Sequence, residues 1–164
     1  MPFYLKQLSS TDSNETYEML QRIGENENEF KNTAHGLTED EFKIWLVQQD
    51  EWSKGLNLPN GYVPQTIYWF YDNDQIVGIG KIRHRLNDNS RYIGGNVGYA
   101  IDPVFRGKGY ATKFLVLLIE QARQNEIEEI LLTVERYNPA SKRVIEKAGG
   151  ILIKETSDRW YFNF

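Results

Sequence analysis

Hydrophobic and polar positions change period several times along the chain, and each change marks an element. Phe3, Leu5 and Gln7 alternate with Tyr4, Lys6 and Leu8, which predicts a first strand over residues 3–9. Thr11 or Asp12 is placed to cap a helix whose Tyr17, Leu20 and Ile23 share a face, and Gly24 stops it. The polar stretch 25–32 reads as a loop. Thr38, with Glu41 three residues on, is a capping-box signature; it opens a second helix with Phe42, Trp45 and Leu46 at helical spacing. Two prolines and a glycine make 57–64 a loop leading into a sheet.

Residues 66–71 and 75–86 are aromatic and β-branched runs joined by Asp72-Asn73-Asp74, a hairpin signal. A polar stretch, 87–91, precedes a fourth strand ending at Ile101. The plainest helix covers 108–125, where Leu115, Leu118, Ile119 and Ala122 fall at i, i+3, i+4 and i+7. The unbroken apolar run 130–134 suits a strand covered on both faces. A shorter helix, 138–148, stops at Gly149-Gly150, and strands over 151–155 and 159–164 close the chain. The predicted order is β-α-α-β-β-β-α-β-α-β-β, an α/β (α+β) arrangement without repeat or linker, so residues 1–164 read as one domain.

Size and composition agree with that reading. The 164 residues suffice for one core, and 40% hydrophobic with 26% charged residues is ordinary for a globular protein. The longest apolar run, 114–119, has six residues, well short of the roughly 20 a membrane span needs. No signal-peptide pattern opens the chain, and the absence of cysteine excludes disulfides, thiolate metal sites and a cysteine nucleophile. These features lead to the expectation of a cytoplasmic protein with no membrane partner. No basic cluster interleaved with aromatics points to nucleic acid. The net charge of −4 is uneven: residues 12–54 carry eleven acids and four bases, whereas the rest is net positive. That asymmetry reads either as a surface that concentrates a cationic partner or as a solvated acidic helix pair.

One segment carries chemistry. Between a predicted strand and the long helix lies Ile101-Asp102-Pro103-Val104-Phe105-Arg106-Gly107-Lys108-Gly109-Tyr110-Ala111. Two glycines two residues apart before a helix let backbone N–H groups converge on an anion, and the helix N-terminus adds its own donors and positive dipole end. A pyrophosphate suits such a place, though a plain tight turn has the same sequence. The segment is not a Walker A loop, and it lacks the third glycine of a dinucleotide fingerprint.

With its neighbours the segment resembles the signature of the GNAT N-acetyltransferase superfamily, Arg/Gln-x-x-Gly-x-Gly/Ala, here Arg106, Gly109 and Ala111. Pro103 before Arg106 fits the same pattern, as do Asn138, Ala140 and Ser141 opening the next helix and Ala148-Gly149-Gly150 ending it. Val63-Pro64, Tyr68-Trp69, Ile82-Arg83-His84, Leu86-Asn87 and Gly94-Gly95 are similar to a bacterial subgroup of predicted acetyltransferases. The resemblance spans the chain. It implies a mixed, mostly antiparallel sheet of about seven strands with four helices, split so that acetyl-CoA lies in the gap as a co-substrate. The pantetheine arm would then pair with Tyr99, Ala100 and Ile101. The phosphates would meet Arg106, Gly107, Lys108, Gly109, Tyr110, Ala111 and Thr112, with Asn138 on the other wall; no metal is implied. The partners are acetyl-CoA and an amine acceptor, either a small molecule or a peptide. Edge strands near the C-terminus leave a homodimer open.

The activity so implied is acetyl transfer from acetyl-CoA to a primary amine, expected to be cationic, by direct attack in a ternary complex. A non-catalytic acyl-CoA-binding module is the alternative. The amine must lose a proton to attack, and the thiolate must gain one. Many family members place a tyrosine seven residues after the asparagine to protonate the thiolate; here that residue is Ile145. His84 is the candidate catalytic residue, with a structural histidine as the plainer reading. Asn96 cannot act as a base, and Glu135 is either a base or a solvated strand end. Tyr62, Tyr68, Trp69 and Phe70 either line an acceptor pocket or belong to the core.

Overall fold

The computed structural model describes residues 2–27 and 29–164. Its elements follow in the order β1 (Phe3–Gln7), α1 (Asn14–Arg22), β2 (Asn26–Glu27), β3 (Phe30–Lys31), α2 (Glu39–Ser53), β4 (Gln65–Asp72), β5 (Gln75–Arg83), α3 (Asp88–Tyr92) and β6 (Val97–Ile101). A 3-10 turn, Pro103–Phe105, leads to α4 (Tyr110–Gln124), β7 (Leu131–Glu135), α5 (Pro139–Lys147), β8 (Ile151–Glu155) and β9 (Arg159–Asn163).

The seven strands expected from the sequence form, and they divide into two sheets. One has the order β1-β4-β5-β6 and the other β7-β9-β8, with every ladder among the described residues antiparallel. Two elements were not legible. The β2–β3 hairpin pairs Asn26 with Lys31 and Glu27 with Phe30 inside a stretch that reads as loop. Two-residue strands are too short to show a period of two. Helix α3 is capped by Asn87, whose Oδ1 accepts from Ser90 N at 2.9 Å while Ser90 Oγ accepts from Asn87 N at 2.8 Å. A serine replaces the usual glutamate of the box, so the signal is faint.

Both faces of the β4–β5 pair are covered, which is why β4 is apolar without a break from Ile67 to Tyr71. Ile67, Trp69 and Ile79 face α1 and α2, joining Met19, Leu20, Phe42 and Leu46 in one core. Tyr68, Phe70 and Ile82 face α4, whose Phe114, Leu115, Leu118 and Ile119 fill a second core continuing under β7, β9 and Ile145. Phe70 stacks on Phe114 at 4.6 Å between ring centres. Phe114, Leu115 and Leu118 have no exposed surface, so the helical stripe read from the sequence is the face that packs.

The two sheets touch at a fork. Gly95 bridges to Leu132, Asn96 N donates to Leu131 O at 2.7 Å, and the Asn96 side chain accepts from Leu131 N at 2.9 Å. Its Nδ2 also donates to Arg83 O at 3.2 Å, so one buried amide ties β5, β6 and β7 together. At Gly95 the backbone takes φ +67°, and a Cβ would stand 2.2 Å from Leu131 O. Only glycine allows that approach. Beyond the fork, β6 and β7 are each the last strand of their sheet, and a cleft opens between them.

Candidate active site

The cleft has a volume of about 590 Å³ and is lined on one side by Val97 to Ile101 of β6 and on the other by Leu132, Thr133 and Val134 of β7. Because β6 ends its sheet, the edge of Tyr99, Ala100 and Ile101 has no neighbouring strand on the cleft side among the described residues. Such an edge accepts an extended ligand in place of a strand.

At one mouth stands the glycine loop. Gly107 and Gly109 take φ +77° and +79°, the left-handed region, and among the described residues no other group lies within 4 Å of where a Cβ would stand. Glycine is needed at Gly109 for its backbone angle rather than for room. The sequence puts the start of α4 at Lys108; the helix starts at Tyr110, with Gly109 as its N-cap and no side chain capping it. The N–H groups of its first turn, including Ala111 and Thr112, are therefore open to an anion. Side chains around the loop are engaged elsewhere. Tyr110 donates to Asp72 Oδ2, and Lys108 lies over the Phe105 ring at 5.5 Å. The turn is anchored by the fully buried Asp102, which accepts from Arg22 Nη2 at 2.7 Å and from Val104 N at 3.1 Å. That contact raises the Arg22 pKa.

Arg106 lines the cleft, donates Nε–H to Ile101 O at 3.2 Å and pairs with Glu27 at 3.0 Å. Across the gap Asn138 caps α5 by accepting from Ser141 N at 3.2 Å, and it too lines the cleft. Tyr99 reaches from β6 to α5, its hydroxyl 3.3 Å from Ser141 Oγ, and burial raises its pKa. The β2–β3 hairpin straps this end: Glu27 holds Arg106, while Glu29 accepts from Arg159 Nη2 at 2.8 Å. Arg159 also donates to Thr133 at 2.7 Å.

The structure separates the proton-handling candidates from the cleft. His84 follows the last residue of β5 and does not line it. Its Nε2 lies 2.6 Å from Thr66 Oγ1, its backbone N–H donates to Pro64 O, and burial followed by the Arg85 charge lowers its pKa. Ile145 is fully buried in the second core; the α5 residues that line the cleft are Ala140, Ser141 and Val144. Glu135 lies outside the lining near Glu29 and Arg159, with a pKa raised first by desolvation and then by Glu29. Of the aromatics, Tyr62 lines the cleft, while Tyr68, Trp69 and Phe70 are core residues.

The other half of the cleft holds residues whose role the sequence did not reveal. Lys81 and Arg83, two apart on β5, both line it, in register with Ile67 and Gln65 of β4; Lys81 also faces Gly98 of β6. Lys81 Nζ sits 5.0 Å above the Phe30 ring. Burial, then the charges of Arg83 and Lys31, push its pKa down to about 7. Arg83 donates Nη1–H to Gly95 O at 2.9 Å, and burial lowers its pKa as well. Among the described residues neither side chain has a carboxylate within 4.0 Å. The available signal was the parity of the strand: Lys81 and Arg83 continue the inward face that Ile79 begins. Trp45 and Trp52 from α2 wall this half, with Gln49 and Gln65.

Comparison with known proteins follows the same lines. A profile described as "Acetyltransferase (GNAT) domain" matches residues 3–151. A [ribosomal protein bS18]-alanine N-acetyltransferase of Haemophilus ducreyi is 26% identical over 98 residues. That match covers 60% of this chain and 64% of the relative, so the chain spans somewhat less than two thirds of that protein's length. Among solved structures, the RimL ribosomal L7/L12 α-N-protein acetyltransferase in complex with coenzyme A is similar with a TM-score of 0.72. It shares 13% identity, with 100% of this chain and 94% of that one covered. A GNAT-family acetyltransferase from Streptococcus pneumoniae gives a TM-score of 0.62 at 19% identity, covering 99% and 98% of the two chains. At such identities the structural likeness bears on the fold, while the profile covers nearly the whole chain. The forked pair of sheets, the glycine loop at the mouth of the cleft and the matching profile together make this chain a member of the GNAT acetyltransferase family.

Proposed function

We propose that this protein transfers the acetyl group of acetyl-CoA to a primary amine by direct attack in a ternary complex. The observation that carries the reading is the unpaired edge of β6, facing a cleft that ends at the open N–H groups of α4. The chain's own residues fit the co-substrate. The backbone of Tyr99, Ala100 and Ile101 would hold the pantetheine arm as an added strand. The glycine loop and the first turn of α4, from Gly107 to Thr112, would hold the phosphates, with Arg106 beside them while it keeps its pair with Glu27. Asn138 would close the other wall.

The amine nitrogen attacks the thioester carbonyl carbon; the C–N bond forms and the C–S bond breaks. The nitrogen loses a proton, and the sulfur leaves as thiolate and takes one up. A thiol titrates near pH 8.5, so the thiolate is a competent leaving group without a strong acid. For that proton we assign Tyr99, whose hydroxyl lies 3.3 Å from Ser141 Oγ of α5, since α5 itself offers no tyrosine. Much of the acceleration comes from holding amine and thioester together in a cleft narrow enough to orient both.

The test is thiol release from acetyl-CoA with a library of primary amines, checked by the mass of the acetylated product. Turnover with any amine above the hydrolysis background supports the proposal. Tight acetyl-CoA binding without turnover on every amine would leave a non-catalytic acyl-CoA-binding module instead.

A further inference from the structure

The acidic excess of residues 12–54 suggests a cationic acceptor, yet among the described residues Glu27 and Glu29 are the acids of that segment that line the cleft. Glu39, Asp40 and Glu41 are exposed at the start of α2. Glu27 and Glu29 are the carboxylates among the described lining residues, and both are spent on ion pairs, with Arg106 and Arg159. Among the described lining residues the cations without a carboxylate within 4.0 Å are Lys81 and Arg83, two apart on β5, and Lys31. Both side chains are half-buried, and a partly desolvated charge without a counter-ion is costly, which makes such a pair a candidate ligand site. The glycine loop and the first turn of α4 are the part assigned to the phosphates, and neither Lys81 nor Arg83 belongs to it, so the co-substrate does not account for this pair.

We infer that the acceptor carries an anionic group, a carboxylate or a phosphate, which binds between Arg83 and Lys81 while its amine points toward β6. The inference rests on the proposed acetyl transfer and names its substrate class. Arg83 offers a planar fork suited to either oxyanion, and Lys81 a point charge. Trp45 and Trp52 add apolar wall to this half of the cleft, which lowers the local dielectric and strengthens both contacts. The neighbouring groups do not compete: Gln49, Gln65 and Gly98 carry no charge, and Tyr62 is a phenol. An anion at this place satisfies Lys81 as a cation. Since burial beside Arg83 and Lys31 brings the free Lys81 to about 7, affinity for such a ligand should fall as pH rises above that value.

The experiment uses matched pairs that differ in charge: glycine and glycinamide, phosphoethanolamine and ethanolamine. For each, kcat/KM is measured by thiol release, and binding of N-acetylglycine against N-acetylglycinamide to the CoA-saturated protein is measured by calorimetry. The anionic member should be favoured at least about tenfold in both readouts. The preference should shrink by a similar factor in Arg83→Gln and in Lys81→Met, with the Kd for acetyl-CoA unchanged. The stronger of the two pairs tells carboxylate from phosphate. KM for the anionic member should climb between pH 7 and 9 in the parent and stay level in Lys81→Met. Equal or better use of the neutral members, or a preference that survives both substitutions, overturns the inference. If no amine is acetylated, the proposed transfer fails, and the calorimetric pair still decides the anion site.

Discussion

Replacing Lys81 with methionine should stabilise the free protein near neutral pH by about 2–3 kcal/mol, although it removes a group assigned to the acceptor. In the unfolded chain the ammonium titrates near pH 10.4. In the folded protein burial, then Arg83 and Lys31, bring it to about 7. At pH 7 folding therefore carries a penalty of about 4 kcal/mol from this one ionisation. Contact with the Phe30 ring and residual water in the cleft offset about 1–2 kcal/mol of that. Methionine keeps the length and fills the same space without a charge. The pH dependence follows from the direction of the shift. Below pH 7 both states are protonated and the penalty is full; it fades as pH rises and vanishes above the unfolded value. The gap between Lys81→Met and the parent should thus be widest near pH 6 and nearly closed near pH 10. Urea unfolding of both proteins at pH 6, 7.5 and 9.5 measures it. A variant no more stable than the parent at pH 6, or a gap that does not change with pH, would refute the reasoning.

Three further outcomes are expected. Gly109→Val forces a β-branched residue to φ +79°, which should weaken acetyl-CoA binding at least about tenfold by calorimetry; an unchanged Kd would sink the role given to the loop. Asn96→Leu strands Leu131 N and Arg83 O at the buried fork and should cost about 2–4 kcal/mol in urea unfolding, a loss under about 1 kcal/mol telling against the amide as the tie between sheets. Ile145→Tyr overpacks the second core and should lose about 1–3 kcal/mol with no rise in kcat; a faster enzyme of unchanged stability would show that this position reaches the cleft after all.

What the residues determined by themselves is the local part: the alternation of β1, the capping box of α2, the stripe of α4, and the glycine loop before it. Each depends on spacings of two, three or four residues, which backbone geometry sets wherever the segment lies. The Gly94-Gly95 pair was visible too, though its reason, the close approach of Leu131, was not. Tertiary structure decided the site. Which face of a strand becomes a cleft wall depends on what packs opposite, so His84 went to Thr66 and Ile145 to the core, while Lys81 and Arg83 faced the cleft. The sign of the field inside was also beyond local reading. It turns on pairs such as Glu29 with Arg159 and Arg22 with Asp102, whose members stand 130 and 80 residues apart. A charge neutralised at that sequence distance looks identical, in the sequence, to one left free to bind a ligand.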